Sequence, residues 1–379
     1  MIRVLHAYKI YLPDVHGGIP HVIATLAKLP RAGFDGLVLV ARAFGLGRTY
    51  RVDEVLVKAV TSLGTAFSTP MAPSYPFVFA RQARLVDVVV CHAPFPLADM
   101  GVLLGFPRRA ALIVHWHAEI IGRSLLVWLM TPLVRRTLAR ADKIIVSDAA
   151  IVANSKFLQP HALKCVVVPY GCDVDYWGAL SESEQAVVDG MKARYPRLVV
   201  AVGRLVGYKG YEVFLRATQD VDVQAVIVGD GPLKAELESL AARLGISGRV
   251  MILGGLPRDE VKQYIHAASV LAFPSVTDAE AFGLVQLEAM SAGRPIVNTA
   301  LGTAVPHVAR DGQEGLTVPP NDPSAFAQAL GRLLDEPELA RKLGDAGRVR
   351  AQTEYAQSLF LERMQTIYRE AAGRRQSQT

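Results

Sequence analysis

The sequence predicts an α/β protein built from two doubly wound, Rossmann-like domains. Short, β-branched apolar runs alternate with longer segments of helical period, and this alternation occurs twice along the chain. Most of the short runs are continuously apolar, which is typical of parallel strands covered by helices on both faces. The length of 379 residues suffices for two domains of ordinary size.

Turn residues bound the runs that predict strands. Those in the first half are Ile2–His6, Gly36–Val40, Val86–His92, Ala110–His115, Lys143–Val146 and Cys165–Pro169. Those in the second half are Leu198–Val202, Ala225–Val228, Val250–Leu253, Val270–Phe273 and Pro295–Asn298. Polar residues interrupt the alternation of apolar runs and helical segments between Gly178 and Tyr195. We therefore expect an N-terminal domain at 1–180, a C-terminal domain at 190–353, and a C-terminal helix at 354–379 that packs on the first domain.

The composition excludes several classes of protein. With 51% hydrophobic and 20% charged residues the chain is neither disordered nor fibrous. Cys91, Cys165 and Cys172 form no Cys-x-x-Cys pair, so no disulfide framework or zinc module is expected. Residues 1–8 resemble a strand rather than a signal peptide, and prolines interrupt the longest uncharged run, 59–80. We expect a cytoplasmic protein.

Positive charge is concentrated in the first half of the chain. Residues 1–180 contain 19 Lys and Arg against 11 Asp and Glu, whereas residues 181–379 contain 22 against 24. The apolar segment Ser124–Val134 includes Trp128 and is followed by the basic residues Arg135, Arg136, Arg140 and Lys143. This pattern predicts peripheral contact with an anionic membrane, at the inner face of the plasma membrane. The alternative is a core helix with ordinary surface charge.

A phosphate site is predicted where a helix follows the strand that ends at Pro274. Gly293-Arg294-Pro295 stops that helix, which should begin near Phe282–Leu284. Its first amides and its positive dipole end would attract an anion. Glu280 and Glu288 flank this site and could accept hydrogen bonds from sugar hydroxyls. The alternative is a capped core helix with surface glutamates.

Two cations follow another predicted strand. The strand ends at Gly203, and Arg204 and Lys209 follow on a loop that contains glycine. Both could converge on one diphosphate, Arg204 through its planar fork and Lys209 as a point charge. The alternative is a solvated pair of cations.

Histidines and glycines mark two strand ends in the first half. His115 and His117 share one face of a strand, but no third ligand with suitable spacing is evident, so no metal is expected. A core histidine is the alternative, above all for His115. Gly17-Gly18 after the first strand would let backbone approach a ligand closely. The sequence contains neither a G-x-G-x-x-G fingerprint nor a P-loop.

Together these segments resemble the retaining family 4 glycosyltransferases of GT-B fold over nearly the whole chain. The residues that carry the resemblance are Gly17-Gly18, His115-Trp116-His117, Val168–Asp173, Gly203-Arg204, Lys209-Gly210, Gly229–Pro232, Glu280–Glu288 and Asp311–Pro320. The N-terminal segment and the His-Trp-His strand look most like bacterial mannosyltransferases of exopolysaccharide and O-antigen assembly. The resemblance implies two Rossmann-like domains that face a central cleft, with the C-terminal helix crossing back to the first. It also implies that the N-terminal domain is on the acceptor side and that the C-terminal domain binds the nucleotide sugar.

The resemblance also implies roles for individual residues. Arg204 and Lys209 would bind the diphosphate of the donor, and Glu288 the ribose hydroxyls. His117 would contact the sugar near the reacting carbon, and Gly18 would approach the diphosphate from the other domain. Glu280 would position the sugar and phosphate together with the amides of Phe282, Gly283 and Leu284. The base pocket would be lined by residues that include Gly255 and Leu256.

The activity implied is a retaining, metal-independent hexosyl transfer that needs no cofactor. Mannose from GDP-mannose is the favoured donor, and a glycan or polyprenyl-diphosphate-linked molecule is the acceptor, in surface polysaccharide synthesis. Asp173-Val174-Asp175 resembles a metal motif but would lie in an interdomain loop of this family. Ala304 and His307 depart from the glycine and glutamate that are frequent there, which leaves the sugar open.

Other functions remain open at this point. They are a sugar-nucleotide epimerase or hydrolase of the same fold and a non-catalytic partner subunit. A nucleic-acid partner is not expected, because no surface with interleaved aromatic and basic residues stands out.

Overall fold

The computed structural model describes residues 1–15, 17–29, 33–66, 69–120 and 125–376. These residues form two compact units. Unit 1 comprises Met1–Pro169 together with the chain from Phe360 onward, and unit 2 comprises Tyr170–Leu359. The boundary predicted at 180 therefore lies inside unit 2.

A largely parallel sheet forms the centre of unit 1. Its strands are β1 (Ile2–Ala7), β2 (Phe34–Ala41), β3 (Arg48–Val52), β4 (Val55–Val60), β7 (Val88–Ala93), β8 (Ala111–Trp116), β9 (Lys143–Val146) and β10 (Cys165–Val167). They are ordered β10-β9-β8-β7-β1-β2-β4-β3, and the small strands β5 (Thr65–Ala66) and β6 (Thr69–Pro70) pair separately. The connections reverse direction between β1 and β7, which makes that position the topological switch point.

Helices cover both faces of this sheet. They are α1 (Gly18–Ala27), α2 (Tyr75–Ala83), α3 (Pro96–Gly105), α4 (Leu125–Arg140) and α5 (Ala149–Asn154), with a 3₁₀ segment at Gln159–Lys164. Phe79 and Phe95 are buried against one face, and Ile23 and Tyr11 against the other. This double cover explains why the central strands are continuously apolar.

Unit 2 repeats the architecture with a wholly parallel sheet. Its strands are β11 (Leu198–Val202), β12 (Gln224–Val228), β13 (Val250–Leu253), β14 (Val270–Ala272), β15 (Ile296–Thr299) and β16 (Gly315–Val318). They are ordered β13-β12-β11-β14-β15-β16, so the switch point lies between β11 and β14. Open α/β sheets bind ligands at the carboxyl ends of their strands at this point.

The remaining helices belong to unit 2, except that the last one begins there and continues in unit 1. They are α6 (Val174–Gly178), α7 (Glu182–Arg194), α8 (Tyr211–Ala217), α9 (Lys234–Arg243), α10 (Arg258–Ala267), α11 (Leu284–Ser291), α12 (Val305–Val308), α13 (Pro323–Asp335), α14 (Pro337–Glu354) and α15 (Gln357–Gln376). Helix α15 begins in unit 2, and its residues from Phe360 onward belong to unit 1. There Tyr368 is fully buried beside Phe34.

All eleven predicted strands form, within two residues of the predicted bounds. The sequence analysis missed β3, β4, β16 and the two-residue strands β5 and β6, and β3 is antiparallel to β4. The polar side chains of β3 are largely exposed at the sheet edge, so that strand lacks a continuous apolar run. The short strand β16 follows a tight turn at Gly312, where φ is +67°.

The segment Asp173-Val174-Asp175 is not an interdomain loop. It lies within unit 2, where Asp173 is the N-cap of α6 and accepts a hydrogen bond from the Tyr176 amide at 3.1 Å. This carboxylate therefore has a structural role at the start of a helix.

Helix α4 contains most of the predicted membrane-contact segment; Ser124 lies outside the described residues. Trp128 and Leu129 are 72% and 56% exposed, and Arg135 and Arg136 are exposed as well. Among the helices of the described residues, none has the combined length and apolar character needed to cross a bilayer.

Candidate functional site

The two loops predicted to bind phosphate adjoin at the switch point of unit 2. Strands β11 and β14 are neighbours, with Val199 paired to Val270 and Val200 to Leu271. Arg204 and Lys209 follow β11, and the segment before α11 follows β14. The carboxyl ends of parallel neighbours lie on the same sheet edge, so these loops share one side of the sheet.

Tyr208 organises the cations after β11. The Arg204 guanidinium is exposed and donates a hydrogen bond to the Tyr208 hydroxyl at 3.2 Å. The ammonium of Lys209 lies 5.7 Å from the centre of the Tyr208 ring. Arg204 and Lys209 thus both contact one aromatic side chain, Arg204 at its hydroxyl and Lys209 at its ring, and the sequence analysis did not identify this residue.

An ion pair joins the two loops directly. The ammonium of Lys209 contacts the carboxylate of Glu280, and their side chains are 14% and 10% exposed. The Ser275 hydroxyl donates a hydrogen bond to the same carboxylate oxygen at 3.2 Å, and Thr303 donates to the Glu280 carbonyl at 2.8 Å. Glu280 is therefore fixed at both its backbone and its side chain. Its ion pair in turn fixes the position of the Lys209 ammonium.

The Phe273 ring places the N-terminus of α11 beside Lys209. The Lys209 ammonium lies 5.2 Å from the ring centre, and a Cβ on Gly283 would lie 2.3 Å from a ring carbon. Gly283 has φ of +81° and is the N-cap of α11, which begins at Leu284, within the predicted range. Within the described part of the chain, the amides of Phe282, Gly283 and Leu284 donate no hydrogen bond. Unpaired amides next to a cation suit a phosphate.

The loops after β12 and β13 are linked by close contacts and hydrogen bonds to the loop that contains Arg204. A Cβ on Gly229 would lie 2.0 Å from the Gly203 carbonyl oxygen, so only glycine permits this approach. Asp230 accepts a hydrogen bond from the Gly255 amide at 2.8 Å, and its carbonyl accepts one from the Leu205 amide at 2.8 Å. Gly255 and the adjoining Leu256 are thereby held beside the loop of Arg204.

Glu288 lies on the second turn of α11. Burial raises the pKa of its carboxyl to about 7, against an ordinary value of 4.5, while the nearby Arg258 opposes the shift. The group therefore changes its charge near neutral pH. In its ionised form the carboxylate only accepts hydrogen bonds, whereas the protonated form also donates one.

Gly18 and His117 lie in unit 1, at the carboxyl edge of its sheet. Gly18 is exposed and begins α1. His117 directly follows β8 and is 4% exposed. Its ring stacks on that of His115 at 4.2 Å between centroids, which confirms that the two share a face.

The expectation that no third histidine accompanies this pair is wrong. His92 on β7 lies opposite His115, and one ring nitrogen from each of His92, His115 and His117 lies within 4.8 Å of the others. Burial lowers the pKa of His115 to about 3 and that of His92 and His117 well below the ordinary value, so the rings are neutral. Strand pairing, which one sequence does not reveal, brings His92 into this cluster.

The structure thus brings Arg204, Lys209, Glu280 and the start of α11 together, with Gly255 and Leu256 linked to them through Asp230. The sequence analysis missed Tyr208, Phe273, Ser275 and Asp230. Their position in the sequence could have identified them. Each lies at or just beyond the carboxyl end of a predicted strand, or within the loop that contains Arg204 and Lys209.

Comparisons with known proteins agree with this architecture. Residues 189–350 match the family described as glycosyl transferases group 1, and residues 17–171 match the glycosyl transferase 4-like domain. The chain is 33% identical to the D-rhamnosyltransferase WbpZ of Pseudomonas aeruginosa, over 90% of this chain and 89% of that protein. It is 29% identical to the O-antigen chain mannosyltransferase C of Escherichia coli, over 97% and 98%.

The fold likewise resembles that of a solved structure. The sucrose-phosphate synthase of Thermosynechococcus elongatus superposes with a TM-score of 0.82 at 21% identity, covering 98% of this chain and 99% of that one. At this level of identity the likeness establishes the fold, which is GT-B.

The first prediction concerns the close contact at Gly283. Gly283→Ala should destabilise the chain by at least about 1 kcal/mol more than Gly245→Ala, because both require a left-handed residue but only Gly283 abuts a ring. Gly245 has φ of +71°, and a Cβ added there would meet nothing within 4 Å. Chemical denaturation of both variants measures the difference, and equal losses would contradict the packing argument.

The second prediction concerns the pH dependence of stability. Because the folded chain binds the Glu288 proton more tightly than the unfolded chain, the contribution of Glu288 to the free energy of unfolding should fall as pH rises from about 4.5 through about 7. This contribution should be on the order of 2–3 kcal/mol. It is measured as the difference between the unsubstituted chain and Glu288→Gln, because Asp99 and the buried histidines add a pH dependence of their own. Denaturation at about pH 5 and about pH 8 tests this. Glu260→Gln, on an exposed carboxyl of α10, is the control; an unchanged profile in Glu288→Gln would refute the assignment.

Proposed function

We propose that this chain, which belongs to the glycosyl transferases group 1 family, transfers a hexose from a nucleotide sugar to a glycan or polyprenyl-diphosphate-linked acceptor in surface polysaccharide synthesis. The observation that carries this proposal is the meeting of Lys209, Glu280 and the unpaired amides of α11 around Phe273. This group of residues is the diphosphate site of the proposal.

The diphosphate site addresses the difficult step of sugar transfer. As the bond to the sugar breaks, negative charge grows on the departing nucleoside diphosphate. Fixed cations and amides aimed at that charge stabilise the transition state without reorganising, because they are already in place. Arg204 and Lys209 supply the cations, and Phe282, Gly283 and Leu284 supply the amides.

The nucleoside is assigned to the neighbouring loops. Glu288 accepts hydrogen bonds from the ribose hydroxyls, and Gly255 and Leu256 line the base pocket. The tie between Asp230 and the Gly255 amide supports this, since it fixes that loop beside the diphosphate site. As the family resemblance implies, the backbone of Gly18 would approach the diphosphate and His117 would contact the donor sugar.

Retention of configuration is part of the proposal. The acceptor attacks from the side on which the diphosphate leaves, and a donor phosphate oxygen takes the proton of the acceptor. Turnover needs no metal, because Arg204, Lys209 and the helix amides together offset the phosphate charge.

Mannose carried on GDP is the proposed donor. The O-antigen chain mannosyltransferase and the D-rhamnosyltransferase among the relatives support a deoxyhexose or hexose of the manno series. Ala304 adjoins the diphosphate site, because its amide donates to the Ala281 carbonyl at 3.1 Å. His307 follows on α12. We therefore expect substitutions of Ala304 and His307 to alter the preference for the donor sugar.

The experiment is a panel of GDP- and UDP-sugars with lipid-linked acceptors, with and without excess chelator. We expect transfer from GDP-mannose, an anomeric centre of unchanged configuration by NMR, and full turnover with chelator. Inversion would refute front-side attack, and loss of turnover in chelator would refute metal independence. Consumption of the donor without an acceptor would instead indicate an epimerase or hydrolase.

The third prediction tests the diphosphate site. Lys209→Ala should reduce turnover by about 2–4 kcal/mol of activation free energy, and Glu288→Ala should mainly weaken donor binding. Because Lys209→Ala leaves Glu280 buried and unpaired, Lys209→Ala combined with Glu280→Gln should recover stability but not turnover. Lys342→Ala, on an exposed lysine of α14, is the control for charge. Unaltered kinetics in Lys209→Ala and Glu288→Ala would overturn the proposal.

We further propose that unit 1 contacts an anionic membrane through α4, which would place transfer at the cytoplasmic face. The exposed Trp128 and Leu129 suit an interfacial position, and Arg135 and Arg136 lie about two turns further along the helix.

The fourth prediction tests this contact. Replacing Arg135 and Arg136 by serine should weaken binding to phosphatidylglycerol vesicles by about tenfold or more, since each cation contributes about 1 kcal/mol near the surface. Serine at Arg108 and Arg109 is the matched control, because this adjacent, exposed pair lies on the same unit. Equal vesicle binding by the two double variants would eliminate a specific role for α4.

A further inference from the structure

The rings of His6, His92 and His117 form a hydrogen-bonded chain inside unit 1. Nδ1 of His6 lies 3.1 Å from Nε2 of His92, and Nδ1 of His92 lies 2.7 Å from Nε2 of His117. The ring centroids are 5.3 and 5.0 Å apart, and the planes differ by 27° and 14°. The separations show rings joined edge to edge through their nitrogens, since rings stacked face to face would not bring these atoms so close.

The chain is directional because its rings are neutral. Burial lowers the pKa of His6 to about 3 and the pKa values of His92 and His117 well below their ordinary value. A neutral imidazole has one donor nitrogen and one acceptor nitrogen. His92 uses both, so the direction of one hydrogen bond fixes the direction of the other. The protons lie either on every Nδ1 or on every Nε2.

The inner end of the chain selects between these two states. Nε2 of His6 is buried and has no hydrogen-bond partner within the part of the protein that the structure describes. A buried N–H without an acceptor is less favourable than a bare acceptor without a donor. His6 therefore carries its proton on Nδ1 and donates it to His92, which in turn donates from Nδ1 to Nε2 of His117.

We propose that His92, oriented by His6, is a positioning residue that fixes the Nδ1–H tautomer of His117. His6 and His92 are fully buried, whereas His117 is 4% exposed, so the chain runs from the interior to its outermost ring. His117 then meets the donor sugar as a hydrogen-bond donor. This last step rests on the proposed function, in which His117 contacts the sugar; the tautomer itself does not.

A transition-metal site in the same cluster is less consistent with these contacts. A metal ion binds the lone pair of a ring nitrogen, so binding through the shared atoms would break the 2.7 Å bond between His92 and His117. The aromatic neighbours of the cluster are Tyr8 and Tyr368, which bring no negative charge at neutral pH. Three neutral imidazoles would leave the charge of the ion uncompensated in the interior.

The direct test is a long-range 1H–15N NMR correlation of the unsubstituted protein with 15N-labelled histidine. We expect His6, His92 and His117 each to show a protonated Nδ1 and a bare Nε2. Single substitutions assign the signals. A proton on Nε2 of His117, or averaging between the two nitrogens, would overturn the proposal. Stoichiometric zinc or nickel by elemental analysis, with these N–H signals absent, would overturn it in favour of a metal site.

The kinetic test compares two substitutions of His92. His92→Asn keeps an amide N–H near the position of Nδ1, whereas His92→Leu removes the donor at similar volume. We expect kcat to fall about tenfold to a hundredfold in His92→Leu with a smaller change in the KM of the donor, and largely to recover in His92→Asn. Cys91→Ala, on the preceding residue of the same buried strand, controls for truncation of the core.

The outcomes separate the two proposals. Equal losses in His92→Leu and His92→Asn, or no loss in His92→Leu, would show that His92 acts only through packing and would refute positioning. If the unsubstituted protein transfers no sugar, the proposed function fails while the NMR result still decides the tautomer. That measurement also needs no variant to fold.

Discussion

The ion pair between Lys209 and Glu280 is the interaction on which the candidate site depends. It joins the loops that follow β11 and β14, the two strands on either side of the switch point, and little water reaches either charge. Desolvation makes such a pair costly to assemble and costlier to break, since one partner alone would be an uncompensated charge. The ion pair therefore holds together two chain segments that are about seventy residues apart, and removing either charge would leave the other buried without a partner.

The same pair sets the electrostatics that an anionic ligand would meet. Glu280 offsets part of the charge of Lys209, and the unpaired amides of α11 and the exposed Arg204 add to the positive potential. Both Lys209 and the helix start rest against Phe273, so their spacing is fixed by a rigid ring rather than by a flexible side chain. A site built this way is ordered before the ligand arrives, which is the condition for stabilising charge that develops during a reaction.

The sequence was sufficient for the architecture and for the identity of the charged residues. Continuous apolar runs predicted all eleven of the strands named, and glycine followed by proline after Met290 predicted where α11 ends. It was not sufficient where the structure depends on which strands are neighbours. His92 comes beside His117 through the pairing of β7 with β8, and Asp230 reaches Gly255 across two loops. Polar edge strands such as β3 also lack the apolar signal on which the prediction depended.

The two sheets obey one topological rule but present different chemistry at their switch points. Beside β11 and β14 the side chains are charged and paired, whereas beside β1 and β7 they are neutral imidazoles linked in a row. A diphosphate gains most from fixed cations, because its charge grows as the sugar departs. A sugar hydroxyl gains most from a neutral partner of defined hydrogen-bond direction, because a cation there would compete with the oxocarbenium-like centre for the same negative charge. The complete burial of His6 and His92 keeps the row neutral and therefore directional, whereas Lys209, which is also largely buried, is paired with the carboxylate of Glu280.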